Sequence, residues 1–125
     1  MKYLSRALVA LAVAVVWAGG AFAQSWPSRP IRMVVPYTPG GYTDLMARLV
    51  GQKVADALGQ TIVFENKPGA NAIIGTDVVA KAAPDGYTFG TVIAAHAVNA
   101  TLNPKLPYDT LKDLSYVSLM SVAPL

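Results

Sequence analysis

Residues 31–44 read Ile-Arg-Met-Val-Val-Pro-Tyr-Thr-Pro-Gly-Gly-Tyr-Thr-Asp. The run Ile31–Val35 is apolar on both faces apart from Arg32, the pattern of a parallel strand covered by helices. A helix-patterned run extends from Leu45 to Leu58, with Gly59 in the usual stop position behind it. Leu45, Met46, Leu49, Val50, Val54 and Leu58 are read as its apolar face. Thr43 is a candidate N-cap, and Asp44 places negative charge in the first turn. The glycine pair between strand and helix permits a tight turn and exposes backbone N–H groups. With a helix dipole behind it, the junction favours an anion, either carboxylate or phosphate. Such a junction also arises for steric reasons alone, so its meaning rests on the rest of the chain.

Downstream, Thr61–Glu65 reads as a second strand, and residues 66–71 as a second polar loop bearing a glycine. A second helix is expected over 72–82, with Ile74, Val78 and Ala82 on one stripe. Pro84-Asp85-Gly86 turns the chain into a third strand, Tyr87–Ala94. Strand–helix–strand–helix–strand with short connections predicts an α/β fold with right-handed crossovers and a parallel sheet. Ligands of such sheets bind beyond the carboxyl ends of the strands, where loops 36–42, 66–71 and 95–99 should meet. Residues 104–109 form a turn-rich connection, Leu111–Leu114 a short helical turn, and Ser115–Val122 a fourth strand. Upstream, Trp26-Pro27-Ser28-Arg29-Pro30 is a stiff extended entry, because each proline fixes its own φ and biases its predecessor toward extended geometry.

The N-terminus indicates a compartment. Lys2 and Arg6 form a basic start, Ala7–Val16 is an unbroken apolar run, and Ala21-Phe22-Ala23 offers small residues for cleavage. Residues 1–23 are therefore read as a cleaved secretory signal peptide, leaving residues 24–125 as an exported chain. The apolar run falls short of the roughly 20 residues a membrane span needs. The sequence contains no cysteine, which excludes both disulfides and a lipoprotein anchor. Without Lys2 and Arg6, ten basic residues become eight against seven acidic ones, and the net charge falls from +3 to +1. Those charges are scattered, with no basic stripe, so nucleic acid is not an expected partner. The mean hydropathy of +0.41 is likewise inflated by the leader. About a hundred residues enclose one core, hence a single domain or part of one.

Chemistry of other kinds finds little support. One histidine with no cysteine and no clustered carboxylates is a poor metal site. A Gly-x-Ser-x-Gly elbow is absent, and Pro39-Gly40-Gly41 lacks the Lys-Ser/Thr ending of a phosphate-binding loop. Neither catalysis nor a cofactor is expected. The candidate ligand contacts are the backbone N–H groups of Gly40 and Gly41 and the hydroxyls of Thr38 and Thr43. Tyr37 and Tyr42, flanking Pro39 and its turn, would pack on a carbon skeleton. Asp44 would accept from a ligand amine or hydroxyl, or simply stabilise the helix start. His96 would pair with a ligand carboxylate, with Asn99 and Thr101 as weaker candidates. A Gly41→Val substitution is expected to weaken binding by blocking close approach and disfavouring positive φ.

Several short segments together carry a family likeness. They are Trp26–Pro30 with Ile31, the Pro-x-x-Pro-Gly-Gly-x-x-Asp loop Pro36–Asp44, Leu58-Gly59-Gln60 and Glu65–Ala70. Further on come Ala80–Thr88, Asn103-Pro104, Pro107-Tyr108-Asp109 and Lys112-Asp113-Leu114. In this order they resemble the substrate-binding proteins of tripartite tricarboxylate transporters, the Bug family.

The resemblance implies a periplasmic binding protein-like fold of the type II, Venus-flytrap kind, with the ligand between two lobes. Residues 24–125 would supply the N-terminal portion of lobe 1, with the second lobe and the returning segment absent. It further implies a periplasmic receptor, monomeric when full length, that delivers a small organic carboxylate to integral membrane transporter subunits. The loop Tyr37–Tyr42 would grip one carboxylate through backbone groups and ordered water. Here the family's usual Gly-Ala-Gly-Gly becomes Gly69-Ala70-Asn71-Ala72, and Ala94-Ala95-His96 stands where a small polar residue is common. The alternatives are an exported enzyme using the glycine loop as an oxyanion or phosphate site, or a non-functional truncated fragment. By itself the segment is expected to be loosely packed and to bind no carboxylate usefully, because strand edges and apolar faces stay uncovered.

Overall fold

The computed structural model describes residues 25–122, and the expected signal peptide lies outside them. In chain order the elements are β1 (Ile31–Val35), α1 (Tyr42–Leu58), β2 (Ile62–Asn66), α2 (Ile73–Ala80), β3 (Thr88–Gly90) and α3 (Ala95–Leu102). The strands form one sheet in the order β2-β1-β3, and both pairings are parallel. β1 is hydrogen-bonded on both sides, with Val34 opposite Glu65 on one flank and Gly90 on the other. That central position explains its two-sided apolar pattern: Ile31, Val34 and Val35 are all essentially buried.

Helix α1 does not present the face its leucines suggested. Its buried residues are Asp44, Ala47 and Gly51, whereas Leu45 and Leu49 are well over half exposed. The six apolar positions read from the sequence cover more than half of the helix circumference, too wide for one contact. Small side chains define the actual seam because they let the backbone come close to the sheet. A Cβ at Gly51 would lie 2.5 Å from the Phe64 ring of β2. Helix α2 behaves alike: Gly75 and Thr76 are buried and Ile74 is outside.

Three further expectations are corrected. Residues 95–99 are not a loop but lie in α3, where Ala95, Ala97 and Ala100 supply strong helix formers. The third strand spans only Thr88–Gly90, not Tyr87–Ala94. Ser115–Val122 forms no strand among the described residues, and Tyr116, Val117, Leu119 and Val122 are exposed. β-propensity describes fitness for a pleated surface, and here that segment meets no neighbouring strand. The turn expected at 111–114 begins one residue earlier, where Asp109 Oδ1 accepts the N–H groups of Leu111 and Lys112 at 3.0 and 3.1 Å.

Candidate functional site

Parallel strands deliver the starts of α1, α2 and α3 to the same edge of the sheet. Two backbone bonds carry the loops away from β1 side by side: Lys67 N–H donates to Val35 O at 2.9 Å and Thr91 N–H to Val34 O at 3.1 Å. None of the three helices has a side-chain hydrogen bond capping its N-terminus. This edge therefore collects uncapped helix starts with their partial positive charge.

The loop before α1 is a tight turn. Pro39 supplies a preset φ, Gly40 sits at φ +79°, and Gly41 N–H reaches back to Thr38 O at 3.4 Å. This is type II turn chemistry, which requires positive φ at its third position, here a glycine. Gly41 itself has φ −74° and ψ 167° and forms the N-cap, so the positive-φ argument made for Gly41 belongs to Gly40. Thr43 is not the cap either: it lies within the first helical turn.

The polar groups of this loop are allocated unexpectedly. Gly40 N–H donates to Asp44 Oδ2 at 2.9 Å and Gly41 N–H is turned toward Thr38, so both glycine amides are engaged inside the loop. The N–H groups of Tyr42, Thr43 and Asp44 have no acceptor among the described residues, and the first backbone bond of α1 is Leu45 N–H to Gly41 O. The open donors thus lie one to three residues beyond those favoured from the sequence. Thr38, Pro39, Gly40 and Tyr42 are exposed, Gly41 and Thr43 half-buried. Tyr37 turns its hydroxyl inward, where burial raises its pKa.

Asp44 is 3% exposed and receives four hydrogen bonds. Besides Gly40 N–H, Arg48 Nε donates to both carboxylate oxygens at 3.0 Å and Asn66 Nδ2 donates to Oδ1 at 3.0 Å. Arg48 first, then the Gly40 amide and Asn66, hold the Asp44 pKa down at about 2. Asn66 also donates to Tyr37 O at 3.0 Å, and the Arg48 guanidinium lies 5.0 Å above the Phe64 ring. The sequence reading missed Arg48 and Asn66. The i,i+4 spacing of Asp44 and Arg48 was a usable signal, whereas the approach of Asn66 depends on strand pairing.

His96 is 4% exposed and part of α3. Its Nε2 lies 2.9 Å from the Tyr116 hydroxyl, and its ring stacks on Tyr108 with centroids 6.0 Å apart. Tyr116 gives its own proton to Thr110 O at 3.0 Å, which makes His96 the donor through Nε2–H. Burial lowers its pKa. The ring thus braces the residues after α3, and no side chain of the first loop bonds to it. Asn99, also buried, instead meets Asn71 of the second loop. Gly69, Ala70, Asn71 and Ala72 all have positive φ, so the stretch lacking the family's two later glycines is left-handed backbone. Among the described residues no group of three or more His, Cys, Asp or Glu side chains is placed to hold a metal ion, and no helix is long and apolar enough to cross a membrane.

Comparison with known proteins adds a family pattern, that of the tripartite tricarboxylate transporter family receptor, matching residues 46–125. Protein BugT of Bordetella pertussis is 42% identical over 127 residues, covering 98% of this chain and 39% of that protein. MatC from Rhodopseudomonas palustris, solved with bound malate, superimposes with a TM-score of 0.66 at 42% identity, over 70% of this chain and 30% of that one. Another R. palustris protein, solved with adipate, gives 0.64 at 38% identity, over 68% and 29%. The chain spans about two-fifths of the length of BugT. It has the α/β fold of these proteins and supplies part of it.

Proposed function

Since the chain belongs to the tripartite tricarboxylate transporter receptor family, we propose that residues 24–125 form the first part of one lobe of a two-lobe periplasmic receptor. The receptor binds a small organic carboxylate between its lobes and passes it unchanged to membrane subunits of a transporter. Residues 1–23 direct its export. The observation that carries this reading is the first turn of α1, where three adjacent N–H groups stand without acceptors among the described residues at the carboxyl edge of a parallel sheet.

In this reading the segment Tyr37–Asp44 forms the carboxylate subsite. Tyr42 and Thr43 offer backbone N–H groups, Thr38 and Thr43 hydroxyls, directly or through water. Tyr37, Pro39 and Tyr42 shape the wall, Gly40 and Gly41 form the turn, and Asp44 secures it. His96 supports the neighbouring wall from inside α3 and takes no direct part in holding the acid. The matched family is one of receptors, which supports a site that holds an acid without transforming it. The bound acid stabilises a closed arrangement of the lobes, and that arrangement is the one the transporter receives. Malate bound to MatC and adipate bound to its R. palustris counterpart mark the ligand class.

The test is a thermal-shift screen of a complete two-lobe protein carrying this segment against organic acids that include malate and adipate. An acid present at 100 times its Kd raises stability by about 2.7 kcal/mol. Mass spectrometry after incubation should return the acid intact. Turnover to a product would refute the receptor reading, and a flat screen across mono-, di- and tricarboxylates would remove the carboxylate.

A further inference from the structure

The two amides that the glycine loop was expected to offer are not open, and the reason lies in a closed circuit of side chains. Asn66 Nδ2 has two hydrogens, one directed to Tyr37 O and one to Asp44 Oδ1, each at 3.0 Å. Asp44 Oδ2 takes Gly40 N–H at 2.9 Å, and Arg48 Nε spans both oxygens at 3.0 Å. Arg48 Nη2 completes the circuit on Asn66 Oδ1 at 3.2 Å. The beginning, apex and end of the loop are thereby tied to one buried carboxylate.

We propose that Asn66 and Arg48, acting through Asp44, are positioning residues that aim the N–H groups of Tyr42 and Thr43 at the ligand's carboxylate, an inference that rests on the carboxylate reading above. The chemistry of each member fits the task. A carboxylate can accept from several donors at once, and an amide at 66 gives one hydrogen to a carbonyl and one to a carboxylate while its oxygen accepts from Arg48. A bare Asp44 beside the helix start would repel an arriving acid, and the guanidinium offsets that charge. The stack on Phe64 and the bond to Asn66 fix the guanidinium in the orientation that reaches both oxygens. Neither Asn66 nor Arg48 needs to touch the ligand for this role.

The experiment uses a two-lobe receptor carrying this segment, with malate and adipate as probes. Asn66→Ala keeps every charge and removes two donors from the circuit. Its expected effect is a loss of affinity of about tenfold, equivalent to ~1.4 kcal/mol. Amide hydrogen exchange supplies a readout without ligand: Gly40 N–H is protected in the parent and exchanges faster in the variant, while the middle of α1 stays protected. Arg48→Lys, at a side chain nearly half exposed, is the second variant, should Asn66→Ala not fold. It retains the charge but cannot span Asp44 and Asn66 together, and a similar loss is expected. Gln52→Ala, which removes only a surface contact to Asp56, should leave affinity unchanged. Folded variants with a freely exchanging Gly40 amide and parental affinity would overturn the positioning role and leave the carboxylate reading standing. A parent that binds neither these probes nor any other carboxylate would refute the carboxylate reading, and the positioning role with it.

Discussion

Asn71 and Asn99 hold each other from adjacent elements. The Asn71 side chain donates to Asn99 Oδ1 at 3.0 Å, and the Asn99 amide donates back to the Asn71 carbonyl at 2.8 Å. Asn99 is 2% exposed whereas Asn71 is exposed, so truncating Asn99 removes two hydrogen bonds and empties the buried space its amide fills. Asn99→Ala should cost about 1–3 kcal/mol in denaturant unfolding. Asn103→Ala, whose contact to Asn99 is longer at 3.3 Å and lies at an exposed residue, should stay within roughly 0.5 kcal/mol of the parent.

The left-handed stretch before α2 yields a second prediction. Ala70 has φ +47° and is exposed, so its methyl group is strained without being buried. A left-handed conformation costs a non-glycine residue about 1–2 kcal/mol, while glycine loses roughly 0.5–1 kcal/mol more chain entropy on folding. Ala70→Gly should therefore raise stability by about 0.5 kcal/mol, and Ala70→Val should lower it by at least ~1 kcal/mol. Thermal melts that ranked the valine variant level with the parent would contradict the assigned backbone.

The two loop glycines should separate cleanly. At Gly40 an added Cβ meets open space but must accept φ +79°; at Gly41 the backbone is ordinary and the nearest atom is Thr38 O at 3.4 Å. Gly40→Ala is expected to destabilise the loop by about 1–2 kcal/mol and to weaken acid binding in step. Gly41→Ala should change stability by less than roughly 0.5 kcal/mol. Calorimetric titration of a two-lobe receptor carrying this segment, with malate as probe, alongside melts measures both. Equal effects at the two positions would contradict the turn geometry.

His96 makes stability depend on pH in one direction. Burial depresses its folded pKa below the ordinary 6.5. Above 6.5 neither folded nor unfolded chain carries the proton, and no contribution arises. Below 6.5 the unfolded chain takes it up first, so stability falls as pH decreases toward the lowered folded value and then levels off. The sequence contains one histidine, so His96→Gln should flatten this interval. Urea unfolding at pH 7.5, 6 and 5 would show it; parallel slopes for parent and variant would refute it.

How much was readable in the sequence depended on the range of the interaction. β1, its glycine turn, α1 and the Gly59 stop follow from local patterning, and the parallel order followed from alternation with short connections. Strand–helix alternation also brought the loops after β1 and β2 to one edge of the sheet, where the structure has them. The donors within the loop were misplaced because Asp44 was read as a charge at a helix start. That it is the acceptor for Gly40 becomes visible only when β2 brings Asn66 beneath the loop. The seam of α1 was misread because hydrophobicity marks what is apolar, whereas contact with a sheet at short distance selects what is small, here Ala47 and Gly51. His96 was assigned to a loop since a helix of eight residues rich in alanine gives little periodicity.

Gly75 packs so tightly that an added Cβ would come within 2.7 Å of both Lys67 O and Pro36 Cβ. Those neighbours are backbone or ring atoms with nowhere to retreat, so the first and second loops are locked to one another through α2. Together with the Asn66 and Asn71 contacts, this makes the sheet edge a fixed die. In the receptor reading proposed above, the conformational cost of ordering its donors falls on folding and not on binding. A surface of that kind cannot adapt by loop breathing. New ligand preferences on it would have to arise by exchanging exposed side chains such as Tyr42 and Thr38 while the backbone beneath keeps its shape.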